Sequence, residues 1–356
     1  RRELRTSMPG YVKKALVQFQ HIKEGGRKQH SPSPYEAPDY GKKCQMTNIN
    51  LTPTMTKEDK SGLQKTTGRF LYYGRAVDDT MLHALNCLST RVNDGTERTK
   101  AALKHFLDYC HDNPNAVKLY VASDMILFID SDASYLVEPM ARSRAGGFFY
   151  LGNKNGDIVN GSILILAKVI KFVMSSAAEA ELAALFMNAK LAVPIRQALI
   201  EMGFPQPPTR MKTDNSTAYG VINDTIKQNR SKAIDMRIYW LKCRESQEQF
   251  DIYWEKGATN LADYFTKHHS PAHHKAVRPI YLHDEQQRLS AEGCAKVLQD
   301  RAAKPKKLRL TKSLLARKAV AELVAELAPS PPSHPCNLNT RVRTILESIQ
   351  GGRIRT

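Results

Sequence analysis

The stretch Met125-Ile-Leu-Phe-Ile-Asp-Ser-Asp-Ala-Ser134 begins with five consecutive apolar residues set between polar flanks. Such a run is too short for a helix and long enough for a strand covered on both faces, so it reads as the central strand of a sheet with helices on either side. Asp132, at the end of the run, then sits where buried backbone meets solvent, fixed in position yet able to hold a cation.

Further carboxylates follow beside apolar segments. Glu179 and Glu181 lie in Ser175-Ser-Ala-Ala-Glu-Ala-Glu-Leu-Ala-Ala-Leu185, a segment of strong helix formers. Two apart on a helix, they point to different sides. Glu181 adjoins the core-facing stripe of Leu182 and Leu185, whereas Glu179 turns toward solvent. Asp214 closes Thr209-Arg-Met-Lys-Thr-Asp214, and Asp263 lies in Asn260-Leu-Ala-Asp-Tyr-Phe-Thr-Lys267. Each has a plainer explanation: Asp214 could cap the helix that follows, although Ser216 could do so alone, and Asp263 could open a short helix.

Around these positions the chain alternates between strand and helix patterns. Arg142–Gly152 and Ser162–Ala167 read as second and third antiparallel strands, joined through the turn signal Asn153-Lys-Asn-Gly156. Pro194 is expected to divide the Glu181 helix from Ile195–Met202, with Gly203 capping the end. Thr209–Thr213 and the alternating Phe250–Glu255 read as strands four and five.

Taken together, these segments resemble the ribonuclease H domain of copia-type retrotransposon Pol polyproteins, which lies in the C-terminal part of Pol. The family's motifs occur here in order between Met125 and Lys267: Ser131-Asp-Ala133, a Gly-rich hairpin, the Ser-Ser…Glu-Ala-Glu helix, Asp214-Asn-Ser-Thr-Ala218 and Asn260–Lys267. The resemblance implies an α/β, ribonuclease H-like fold: a five-stranded mixed sheet flanked by helices and preceded by a small helical connection region. It implies four catalytic carboxylates, Asp132, Glu181, Asp214 and Asp263, with Asp130 and Glu179 off the motif. They would hold two Mg²⁺ (or Mn²⁺) ions, Asp132 bridging both, Glu181 and Asp214 on one and Asp263 on the other. The activity implied is hydrolysis of the RNA strand of an RNA–DNA hybrid, for which paired hard cations about 4 Å apart activate water and stabilise the leaving oxygen. The alternative is a decayed or co-opted retroelement fragment that binds nucleic acid without cutting it.

Charge and composition agree with a polyanionic partner. The net charge of +18 favours nucleic acid through long-range attraction, although part of the excess lies in a basic tail. Arg142, Ser143 and Arg144, leading into the second strand, and Arg230, Lys232 and Arg237, before the long helix, are candidate contacts to the hybrid backbone. Two departures from the family stand beside them: Ala233 replaces a usual His, and the loop Lys256-Gly-Ala-Thr-Asn260 lacks the His that many ribonucleases H carry there. The six cysteines, Cys44, Cys87, Cys110, Cys243, Cys294 and Cys336, show no Cys-x-x-Cys spacing and read as reduced thiols of an intracellular protein. His268, His269, His273 and His274 invite a zinc assignment, but Ser270-Pro271 interrupts the spacing, so a solvated loop is expected.

The remaining organisation is coarser. Residues 1–60 resemble the end of a reverse-transcriptase region plus a linker, with a helix starting near Tyr11. Residues 61–120 are helical and connection-like, 121–283 form the ribonuclease H-like domain, and 284–356 make a basic, partly disordered tail containing Lys304-Pro-Lys-Lys-Leu-Arg-Leu-Thr-Lys312. The missing initiator Met suggests a piece of a longer polyprotein, whose other parts would be its partners. A Tyr-x-Asp-Asp turn is absent, so no polymerase activity is expected. No run approaches the roughly 20 apolar residues of a membrane span, and the expected location is intracellular, in a cytoplasmic particle or the nucleus.

Overall fold

The computed structural model describes residues 2–35, 52–226 and 232–282. Much of the linker, Arg230, the Lys232 side chain and the whole basic tail from 284 onward lie outside the described residues.

Strand β1 (Glu3–Ser7) and helix α1 (Tyr11–Gln18) open the chain, followed by α2 (Lys57–Ala76), α3 (Leu82–Ser89), α4 (Glu97–Asp112) and strand β2 (Val117–Val121). Then come β3 (Ile126–Glu138), β4 (Arg142–Gly152), β5 (Ser162–Val173), α5 (Ala177–Glu201), β6 (Thr209–Thr213), α6 (Ser216–Ile222), α7 (Lys232–Ser246), β7 (Phe250–Trp254) and α8 (Pro271–Tyr281). The expected five-stranded mixed sheet is present, in the order β5-β4-β3-β6-β7. The β3–β4 and β4–β5 pairs are antiparallel, while the β3–β6 and β6–β7 pairs are parallel.

Alternation along β3 sends its side chains to two different cores. Leu127 and Ile129 join Phe149 and Leu151 of β4 in burying Leu182, Leu185 and Ala189 of α5, with α6, α7 and β7 completing that layer. Phe128, Phe148 and Tyr150 face the other way, into a core shared with Phe70 and Tyr73 of α2, Leu85 of α3, Phe106 of α4 and Tyr281 of α8. The sheet is therefore covered on both sides, as the unbroken apolar run of β3 requires.

Two features differ from expectation. Pro194 does not divide α5, which runs from Ala177 to Glu201. Proline removes one backbone hydrogen bond and crowds the preceding turn, at a cost of about 3 kcal/mol. Burial of Ala189 and Ala192 before it and Leu199 after it, all on the sheet, holds the two halves in one line. The helix then ends as expected at Gly203, whose φ of 88° lets its N–H bond to Ile200 O while Phe204 N bonds to Leu199 O. The second difference is β1, which has no apolar alternation yet pairs antiparallel with β2, from Glu3 opposite Val121 to Ser7 opposite Val117. Near this ribbon, Lys118 Nζ reaches Asp79 Oδ1 at 2.9 Å and Ser162 Oγ at 3.3 Å, joining β2, the turn before α3 and β5 in one buried polar contact.

The histidine-rich segment is not simply a solvated loop. His274 is buried in α8 and hydrogen-bonds the hydroxyls of both Tyr109 (3.1 Å) and Tyr264. His269 stacks on Tyr264 at 4.8 Å. Burial lowers the pKa of His274 to about 3 and that of His269 to about 4, so both rings are neutral at pH 7.

Candidate active site

Asp132 lies in the middle of β3, which continues to Glu138 beyond the expected strand end, and directly opposite Gly146 of β4. Its carboxylate is 2% exposed, and Oδ2 accepts a hydrogen bond from Thr266 Oγ1. Thr266 can approach because Gly146 carries no side chain: a Cβ there would sit 2.6 Å from Thr266 Cγ2 and 2.8 Å from Ala262 O. Its neighbour Gly147 serves the opposite face, where a Cβ would meet Asn188 Oδ1 at 2.0 Å. Asn188, on α5, uses that space to donate to Ser131 Oγ and Gly146 O, both at 2.9 Å. The paired glycines thus let α5 and the segment 261–266 press on the hairpin from both sides.

Glu181 comes from the first turns of α5. Its Oε1 accepts from the Ala133 backbone N–H at 3.0 Å, while the buried Oε2 has no hydrogen-bond partner. Glu179 does different work, accepting from Ser175 N at 2.8 Å in the capping arrangement around Ser176. Asp214 directly follows β6, and the cap of α6 is neither Asp214 nor Ser216: Asn215 accepts from Ala218 N at 2.9 Å. The Asp214 carboxylate is thereby left for the site. Gly257 gives it room, since a Cβ there would lie 2.3 Å from Asp214 Oδ2.

Carboxylate oxygens of Asp132, Glu181 and Asp214 lie within 4.8 Å of one another. Asp263, the fourth expected member, is not part of that mutual set. It lies in a 3-10 turn, Leu261–Phe265, capped by Asn260, and pairs with Lys267 one turn on. It still belongs to the same electrostatic neighbourhood. Burial, then the charge of Asp263, raises the pKa of Asp132 to about 8 and also raises that of Asp214. Burial followed by Asp132 raises the pKa of Glu181. Lys267 opposes these effects and is itself held protonated by Asp263 and Asp132 against its own burial.

Asp130 stands apart, although it shares a face of β3 with Asp132. It pairs with Lys212 Nζ at 3.0 Å and accepts from Leu261 N at 2.8 Å, fixing the 3-10 turn to the sheet.

The expected phosphate contacts divide. Ser143 and Arg144 are wholly buried, which corrects their assignment to a hybrid-facing surface. Arg144 Nε donates to Glu138 at 2.9 Å, Nη1 to Asn86 at 2.7 Å and Nη2 to Cys87 Sγ at 3.1 Å, while Ser143 Oγ accepts from Leu136 N. Sequence cannot distinguish this from exposure, because the partners of Arg144 come from α3 and from the far end of the hairpin. Arg142 and Arg237 are partly exposed, and Arg237 lies 4.8 Å from the Phe172 ring centre. Thr266 and Lys267 were part of the motif quoted above, but nothing in their spacing alone marked them as partners of Asp132 and Asp263.

No model of a known protein family matches the chain. Over 222 residues, 61% of its length, it is 23% identical to the retrovirus-related Pol polyprotein from transposon TNT 1-94 of Nicotiana tabacum, of which it spans 16%. Similar solved structures include the N-terminal RNase H domain of a Mycobacterium tuberculosis protein fused to maltose-binding protein (13% identity, 38% of this chain and 92% of that one, TM-score 0.28). They also include an RNase H1 isolated from compost (12%, 39% and 90%, 0.29) and RNase H1 from the archaeon Halobacterium salinarum (15%, 38% and 90%, 0.24). Strand order and direction carry the fold assignment: three antiparallel strands continued by two parallel ones, with helices on both faces, make this a ribonuclease H-like fold, in a chain similar in sequence to a retroelement Pol polyprotein.

Proposed function

We propose that this chain is the ribonuclease H part of a copia-type Pol polyprotein and cleaves the RNA strand of RNA–DNA hybrids, with residues 61–120 as its connection segment and 121–283 as its nuclease domain. The observation that carries this is the convergence of Asp132, Glu181 and Asp214, one from a strand, one from a helix and one from a strand end, within 4.8 Å. The donors suit a hard divalent cation. All are carboxylate oxygens, the Glu181 Oε2 lacks a partner, and two buried acids and a half-buried one at such distances repel one another unless protonated or neutralised by a cation.

Asp132, Glu181 and Asp214 would hold Mg²⁺ or Mn²⁺, and Asp263 would hold a second ion on releasing Lys267. Such ions, when bound, supply an activated water and charge stabilisation on the departing oxygen. The chain's own contribution is positional. Thr266 orients Asp132, the Ala133 amide fixes one oxygen of Glu181, and Asn215 and Asn260 take the capping work beside Asp214 and Asp263. Lys267 offers a positive charge to a scissile phosphate at the mouth of the cluster.

A labelled hybrid incubated with the protein and Mg²⁺, beside Asp132→Asn, tests the proposal: cleavage by the parent alone supports it. The second reading, a fragment that binds without cutting, is favoured by the Asp263–Lys267 ion pair and by the loop 256–260 without His. It predicts equal hybrid binding and no cleavage by either protein.

A further inference from the structure

On α3, His83 and Cys87 are one turn apart and project from the same side of the helix. The segment following the 3-10 turn brings His268 onto them. Cys87 Sγ lies 3.9 Å from His83 Nε2 and 3.7 Å from His268 Nε2, and the three atoms are all within 4.8 Å of one another. A tetrahedral zinc ion with Zn–S of about 2.3 Å and Zn–N of about 2.0–2.1 Å places sulfur and nitrogen about 3.6 Å apart. Closure by a few tenths of an ångström would therefore bring both sulfur–nitrogen distances to that value. The two imidazoles meet edge to face at 78°, with centres 4.5 Å apart.

We propose that His83, Cys87 and His268 form a metal site for a borderline-soft divalent ion, zinc foremost, chemically separate from the oxygen-only cluster at Asp132. Thiolate and imidazole donors select zinc over magnesium, whereas an all-carboxylate site also suits magnesium. On binding, a Zn–S bond forms as the Cys87 thiol proton leaves to solvent, and each neutral imidazole donates one nitrogen lone pair. Three protein ligands leave the fourth position to water. Burial pushes the Cys87 thiol up to about 11, while the Arg144 guanidinium, its Nη2 3.1 Å from Cys87 Sγ, opposes that shift and favours the thiolate. Burial lowers the His83 pKa, which leaves that ring neutral and ready to coordinate. A small cavity lined by Thr80, His83, Tyr264, His268 and His269 adjoins the two imidazoles. Because His268 directly follows Lys267, the ion would tether the segment carrying Asp263 to α3.

Cobalt titration of the chelator-treated full chain tests the site. The expected result is one equivalent of Co²⁺ with a thiolate-to-cobalt charge-transfer band in the near ultraviolet, displaced by Zn²⁺ but not by excess Mg²⁺. Cys87→Ser should abolish the band. His268→Ala, at an exposed position, should weaken cobalt binding by about tenfold or more. Asp132→Asn should leave the band unchanged. Absence of the band in the parent, its persistence in Cys87→Ser, or unaltered affinity in His268→Ala would overturn the proposal.

Discussion

The backbone N–H of Ala133 donates to Glu181 Oε1 at 3.0 Å while the other oxygen of that carboxylate, buried, has no partner. One hydrogen bond thus fixes the first turns of α5 to the residue after Asp132, and the Glu181 carboxylate lies where Asp132 and Asp214 also converge. A buried, unsatisfied carboxylate oxygen is costly, by about 1–3 kcal/mol or more, and its retention points to a cation.

The metal-free protein should lose stability as pH rises. The Asp132 pKa is about 8 in the folded chain and near 3.8 in an unfolded one, so between those values the folded state holds more protons. Its stability therefore declines as pH climbs from about 4 toward 8. Thermal unfolding in chelator should show a falling Tm across that window. Added Mg²⁺ should raise Tm more at pH 8 than at pH 5, since binding needs the ionised carboxylates.

Asp132→Asn should separate stability from activity. Removing a buried charge from a repelling cluster raises the Tm of the chelated protein at pH 8, each 1 kcal/mol being worth about 2–4 °C at this size. Hybrid cleavage should fall by roughly 100-fold or more. Differential scanning calorimetry and a gel assay on the same preparations check both.

Arg144→Met should destabilise by roughly 3–5 kcal/mol, as expected for breaking a buried pair that leaves Glu138 without its cation. Urea denaturation measures the loss. Hybrid affinity of the folded fraction should stay unchanged, because Arg144 is fully covered.

Gly147→Ala should cost about 1–3 kcal/mol, because the new methyl group would overlap the amide of Asn188, which must then give up its bonds to Ser131 and Gly146. Equilibrium unfolding in urea reads this directly.

What could be read from the chain alone follows from locality. The strands β3 to β7 were legible because each carries its own apolar pattern, and Glu181 could be separated from Glu179 because helical phase is a local property. The β1–β2 ribbon was not, since Glu3–Ser7 is polar and its partner lies more than a hundred residues on. The continuity of α5 through Pro194 depends on the sheet beneath it, which outweighs the local cost of proline. Arg144 looked solvent-facing because its partners, Glu138 and Asn86, are set by the hairpin and α3 respectively. Convergence of Asp132, Glu181 and Asp214 was expected from motif order. The attachment of Asp263 to Lys267, instead of to that trio, needed coordinates.

The most direct test of the central claim is single-turnover cleavage of a labelled RNA–DNA hybrid in Mg²⁺ by the parent chain, Glu181→Gln and Asp214→Asn. The carboxylate cluster requires cutting of the RNA strand by the parent, loss of at least about 100-fold in each variant, and no cutting in chelator. Cleavage at the parent's rate by either variant, or cutting that persists without divalent metal, would contradict it.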